Sequence, residues 1–168
     1  MRRHLLVAAM AAGCWAILAV GGRAADEKPA LDKIPAKISA AINGRFPGAE
    51  LKSVEKENED GKVMYDVELT QKGRKYEMDI KEDGTIIEIE KEVAGKDFPA
   101  PCAAIVKQNY PKATIKEIME VNKVEGTKET PIHYEVVLEE QGKKEFEVVV
   151  SLDGKSAAPE KEEAPPGK

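Results

Sequence analysis

Slid against itself by 64 positions, the sequence places Ile34-Pro35-Ala36 on Phe98-Pro99-Ala100 and Phe46-Pro47 on Tyr110-Pro111. The same shift brings Ala49, Leu51, Lys52 and Val54 onto Ala113, Ile115, Lys116 and Ile118. Further on, Tyr65-Asp66-Val67-Glu68-Leu69 meets Tyr134-Glu135-Val136-Val137-Leu138 at an offset of 69, and Asp83-Gly84 meets Asp153-Gly154 at 70. A chain that repeats in this way is expected to fold twice into one unit. The growing offset assigns the insertions to loops, the largest to residues 126–131, because connections between elements tolerate extra residues.

Each unit opens with a helical pattern. Ile34, Ile38, Ala41 and Ile42 share one helical stripe, and Phe98, Cys102, Ile105 and Val106 share the equivalent one. Pro35 and Pro99 sit at the first turn, where a missing N–H costs nothing, and Pro47 and Pro111 stop the helices because the residue before a proline is pushed out of helical space. The pattern then changes to period two. Val63, Tyr65, Val67 and Leu69 alternate with Met64, Asp66, Glu68 and Thr70; Tyr76, Met78 and Ile80 alternate with polar residues, as do Ile87 and Ile89. Turn signals lie between these runs at Asp60-Gly61, Lys72-Gly73, Asp83-Gly84, Gln141-Gly142 and Asp153-Gly154. Leu51 and Val54, like Ile115 and Ile118, are three apart and share a sheet face only if a bulge separates them.

The predicted fold class is α+β, two tandem units of one helix plus an antiparallel sheet, spanning residues 34–93 and 97–155. Each is about 60 residues, a size at which one core without disulfides is marginal, so the two are expected to pack as one body. The second unit is read as lacking a fourth strand, and residues 156–168, charged and proline-rich, as a disordered tail.

The N-terminus carries an address. Arg2 and Arg3 precede an uncharged apolar run over residues 5–20, followed by Gly21, Gly22 and the small residues Ala24 and Ala25. This pattern predicts a signal peptide over residues 1–25 with cleavage near Ala24 or Ala25, a short linker over 26–33, and a periplasmic or secreted protein with no stable membrane insertion afterwards. Cys14, after Ala11, Ala12 and Gly13, is the alternative lipidation position, though lipidation there leaves an apolar stretch at the mature N-terminus. Removing residues 1–25 leaves 23 basic against 31 acidic side chains, a net charge of −8. Nucleic acid and anionic lipid are poor partners for such a chain. Only Cys102 remains of the two cysteines, so no internal disulfide is available.

Catalysis finds little support. His133 stands alone beside Tyr134 and reads as an exposed strand residue rather than a base or metal ligand. Cys102 aligns with Ile38 and reads as a buried core residue rather than a nucleophile. No phosphate loop, His-x-x-x-His pair or nucleophile elbow occurs, and no cofactor is implied. One surface feature stands out. If Tyr65, Val67, Tyr76, Met78, Ile87 and Ile89 face the helix, then Asp66, Glu68, Glu77, Asp79, Glu88 and Glu90 share the opposite sheet face. That face is read as solvated, with Lys75, Lys81 and Lys91 nearby to relieve repulsion, or else as a site for a basic partner or divalent cation. The matching face of the second unit, with Val137 and Val149 beside Glu135, Glu145 and Glu147, is less acidic.

Ile34-Pro35-Ala36, Arg45-Phe46-Pro47-Gly48-Ala49, Asp60-Gly61-Lys62, Tyr65-Asp66-Val67 and Asp83-Gly84-Thr85 together resemble the PepSY-like, β-lactamase-inhibitor-like domain family, which the second unit matches more loosely. The resemblance implies a secreted bacterial protein of two helix-plus-sheet units with a protein-binding or peptidase-restraining role. The chain has no disulfides like those of the secreted β-lactamase inhibitors and no matching inhibitory loop, so inhibition of a β-lactamase does not carry over. The expected function is an exported, non-enzymatic binding module for another exported or envelope protein. The alternative is an envelope cation-binding or sensor protein using the acidic face.

Overall fold

The computed structural model describes residues 34–59 and 62–159. The expected signal peptide, the linker, Cys14, the Asp60-Gly61 turn and residues 160–168 lie outside the described residues. In chain order the elements are α1 (Ala36–Arg45), β1 (Glu50–Glu59), β2 (Lys62–Gln71), β3 (Arg74–Lys81), β4 (Ile86–Glu92), α2 (Ala100–Asn109), β5 (Ala113–Glu125), β6 (Lys128–Glu140), β7 (Phe146–Ser151) and β8 (Ala157–Pro159). The class is α+β, as the two hydrophobic periodicities require.

Both helices are bounded as their prolines dictate. Pro35 and Pro99 occupy the N-caps, and their carbonyls accept from Ile38 and Ser39 in one helix and from Ala103 in the other. The chain leaves helical geometry at Phe46 and Tyr110, immediately before Pro47 and Pro111. Ile38 and Cys102 are both fully buried on the sheet-facing stripes.

The eight strands form one antiparallel sheet in strict chain order, β1 to β8, each strand paired with the next. The seam between β4 and β5 runs from Glu88 opposite Lys123 to Glu92 opposite Met119. Directly opposed residues point to one side of a sheet. The row Tyr76, Lys91, Glu120, Tyr134 therefore shows that both helices cover the same face, since Tyr76 packs on the α1 core and Tyr134 lies in the α2 core. Bulges fall where the sequence spacing requires them, between Leu51 and Ser53 and between Ile115 and Glu117.

Three expectations need correction. Ile87 does not continue the core alternation: a register shift sets Ile80 opposite Ile86, and Ile86 packs on the core instead. The connection is confined to Gly126 and Thr127, and residues 128–131 belong to β6. The β5–β6 hairpin is extended by 13-residue strands joined at a tight turn, with Gly126 at φ 63°, and Pro131 is accommodated beside a second register shift at Val121/Asn122. The extension reaches the first half of the molecule: Val124 is buried in the α1 core, and Glu129 is ion-paired with Arg45 and Lys91.

The second half also has a fourth strand. Ala157–Pro159 form β8 against Val148–Val150, so the chain does not enter its tail at residue 156. Ala and Pro are weak strand formers, but the open edge of β7 offers backbone partners. Ala157 fills the α2 core, and its carbonyl accepts from Asn109 Nδ2 at 2.9 Å. Pro159 is tolerated because an edge strand has one side without a ladder.

Candidate interaction surface

The face opposite the helices carries all six carboxylates anticipated from the alternation. The register arranges them in two rows across β2, β3 and β4: Asp66, Asp79, Glu88 and, two residues along each strand, Glu68, Glu77, Glu90. The first row begins on β1 at Glu55 and ends on β5 at Lys123; the second begins at Ser53 and ends at Val121. Cross-strand carboxylates repel, so this register is held by the apolar residues on the other face, Val67, Leu69, Met78, Ile80 and Ile89, all 0% exposed.

Five of the six carboxylates are partly exposed. None of the six carboxylates is highly exposed, and Glu90 is buried, at 1% exposure. Beyond it the face becomes apolar on β5, where Val121 and Met119 are buried. It then turns mixed on β6 and β7, with His133, Glu135, Val137, Glu147 and Val149. Glu145 precedes β7 and does not belong to the face.

The lysines sort differently from the sequence expectation. Lys75 lies on this face and donates to Glu77 Oε1 and Glu117 Oε1, both at 2.9 Å, linking β3 to β5 across the seam between the halves. Burial pulls its pKa down, but the hydrogen bonds and charges of Glu77 and Glu117 outweigh that effect and hold the ammonium well above its ordinary value. Lys81 lies at the end of β3 opposite Met64 and is exposed. Lys91 points to the helix side, where burial lowers its pKa and the nearby Arg74 and Arg45 add to the effect against Glu120.

His133 is half-buried rather than exposed, with Nε2 3.1 Å from Glu135 Oε1. It faces Val121 and Ser151 across the sheet. Cys102 is in the core, its Sγ 3.5 Å from the carbonyl of Ser151; burial raises its pKa, with Asp153 adding to the shift. Neither residue has the arrangement of a nucleophile and base. Among the described residues no group of three or more His, Cys, Asp or Glu side chains is disposed to hold a metal ion. No helix among them is long and apolar enough to cross a membrane.

The sequence did not reveal the buried stretch Met119 and Val121, because its burial depends on the β4–β5 seam. The run Ile118-Met119-Glu120-Val121 was the available signal.

The model of the family described as "putative beta-lactamase-inhibitor-like, PepSY-like" matches residues 25–88 and again residues 63–156. Among solved structures, a BLIP-like protein from Bacteroides fragilis NCTC 9343 is similar with a TM-score of 0.50 at 18% identity, covering 74% of this chain and 83% of that one. A DUF2874 family protein from Bacteroides uniformis ATCC 8492 gives 0.56 at 12% identity, covering 75% and 89%. A putative periplasmic protein from Bacteroides eggerthii DSM 20697 gives 0.57 at 10% identity, covering 74% and 88%. At such identities the likeness is one of fold. No curated protein matches the chain.

Proposed function

From the premise that this chain belongs to the putative β-lactamase-inhibitor-like, PepSY-like family, we propose that it is an exported, non-enzymatic binding module. The face opposite the helices recognises another exported or envelope protein and restrains it, a peptidase being one such target. The observation that carries this reading is the asymmetry of the sheet. Both helices cover one side, and the other runs from the carboxylate rows of β2 to β4 to a mixed polar and apolar stretch on β6 and β7. The partly exposed Val137 and Val149 supply apolar contacts and the carboxylates a charged flank, the ingredients of a specific protein interface.

Export is supported by the N-terminal charge and apolar pattern and by the periplasmic description of the Bacteroides eggerthii neighbour. The two halves are read as tandem copies of one unit. Ile38 and Cys102 occupy equivalent core positions, the bulges at Leu51/Ser53 and Ile115/Glu117 correspond, and Gly84 and Gly154 lie against Lys37 and Pro101 at equivalent places on their helices.

The test compares capture from an envelope extract by the protein and by a variant carrying Asp79→Arg and Val149→Arg on the face, with Lys107→Glu on α2 as control. A target retained by the control and lost by the face variant supports the reading; equal capture by all three refutes it. A shift in thermal stability in millimolar calcium, with no captured protein, favours the cation-binding alternative instead.

A further inference from the structure

The sheet ends in two unlike edges. β8 is three residues long and finishes at Pro159, which has no N–H to offer. β1 is ten residues long, and among the described residues no strand flanks its outer side. Beyond the bulge its pairing with β2 is regular from Ser53 opposite Glu68 to Glu59 opposite Lys62, which leaves about 20 Å of straight edge.

The side chains of that edge are arranged against self-association. Two copies of β1 in an antiparallel pair must bring residues of the same face opposite one another. Centred on Glu55, such a pair sets Glu55 against itself. Centred on Lys56, it opposes Lys56 to itself and Glu55 to Glu57, and centred on Glu57 it opposes Glu57 to itself. Charge on an edge is a known protection against indiscriminate pairing. A pattern that rejects its own kind in these three registers still admits the complementary one.

We propose that the β1 edge is a second binding site, which takes an extended peptide segment by antiparallel strand addition. The segment carries a basic residue opposite Glu55 and an acidic residue opposite Lys56. Glu55 and Lys56 are exposed, so their partners are reached without displacing the core. Backbone hydrogen bonds supply the affinity and the alternating charges the specificity. A basic residue opposite Glu55 also extends the row Glu55, Asp66, Asp79, Glu88 with the charge that Lys123 supplies at its other end. The site meets the face proposed above at Glu55 and differs from it in binding through the backbone edge of β1.

The probe is the end-capped peptide Thr-Lys-Glu-Lys-Val-Thr, labelled for fluorescence anisotropy, with the charge-swapped peptide Thr-Glu-Lys-Glu-Val-Thr as comparison. Two further versions are N-methylated at alternate residues, each blocking one edge of the peptide. The matched peptide is expected to bind at least tenfold more tightly than the swapped one. One methylated version should lose binding and the other keep it. The double substitution Glu55→Lys with Lys56→Glu should invert the preference. No saturable binding of the matched peptide up to millimolar concentration overturns the proposal, as does equal binding of both charge patterns. Retention of binding by both methylated versions overturns it too, because side-chain attraction alone would then account for the contact.

Discussion

Arg45, the last residue of α1, is ion-paired with Glu129, the second residue of β6, and Glu129 also takes the ammonium of Lys91 on β4. One carboxylate on the extended β5–β6 hairpin thereby ties together a helix and a strand of the other half. Glu129 is 16% exposed and Arg45 32%, so solvent screens the pair only in part. Glu129→Ala should cost about 1–2 kcal/mol, because it leaves two neighbouring cations without their shared anion. A double-mutant cycle with Arg45→Ala by urea unfolding should show a coupling of about 0.5–1 kcal/mol; additive losses would contradict the contact.

Gly154 and Gly142 both have positive φ, 67° and 77°, yet they should respond differently to alanine. A Cβ on Gly154 would lie 2.5 Å from the Pro101 carbonyl carbon and 2.8 Å from the Cys102 nitrogen, whereas one on Gly142 meets nothing within 4 Å. Gly154→Ala is therefore expected to cost roughly 2–4 kcal/mol as the turn is forced off the start of α2. Gly142→Ala should cost about 1 kcal/mol, the price of the backbone conformation alone. Similar midpoints for the two variants in urea would show that the β7–β8 turn does not press on the helix.

Asp153 is held at about 2, below its ordinary 3.8, by the Lys155 ammonium, the Ser151 hydroxyl and the Lys155 backbone N–H. The ionised form is favoured by folding, so its contribution is complete above about pH 4 and lost as pH falls through about 2. Asp153→Asn keeps the acceptor oxygen but cannot ionise. Its urea midpoint should fall less than that of the parent between pH 4.5 and pH 2, and parallel curves would contradict the assignment.

Lys75 offers a test on the sheet face itself. Lys75→Met keeps the aliphatic stem and removes the donor to Glu77 and Glu117, leaving both carboxylates on a crowded acidic surface. A loss of about 1–2 kcal/mol is expected, partly recovered in high salt, where repulsion is screened. An unchanged midpoint at low salt would show that the bridge contributes nothing. The same geometry means that Glu77→Lys, which the acidic pattern alone would favour as relief of repulsion, sets a new cation against Lys75.

Cys102 fills a site with 0% exposure. Cys102→Ser should cost about 1–2 kcal/mol by placing a more polar group there. The native thiol should resist a bulky maleimide until the protein unfolds, and rapid labelling would contradict its burial.

Features set by neighbours in sequence were legible before the structure: the proline-bounded helices, the bulges implied by Leu51 and Val54, and the common face of Asp66, Glu68, Glu77 and Asp79. Those that depend on distant chain were not. Ile86 replaces Ile87 because the strand shifts register against β3, and Ala157–Pro159 become a strand only because β7 presents an open edge. The burial of Glu90 and Val121 arises at the seam of β4 with β5, which no local pattern encodes. At the candidate surface the alternation identified the carboxylates, but their order in rows and the lysine that bridges them required the register.

Because every strand pairs with its immediate successor, the sheet can be assembled in the order in which the chain is made. Each hairpin finds its partner in sequence already present, and no strand must wait for a late segment to be inserted between two others. Such topology keeps the search for partners short and limits the time during which bare edges are available for misassembly. The exception is the β5–β6 hairpin, whose Val124 and Glu129 complete the packing around α1. The α1 half is therefore finished only after chain from the other half has emerged, and a ribosome-bound fragment ending before Val124 should be more readily cleaved by protease than one that extends past Glu140.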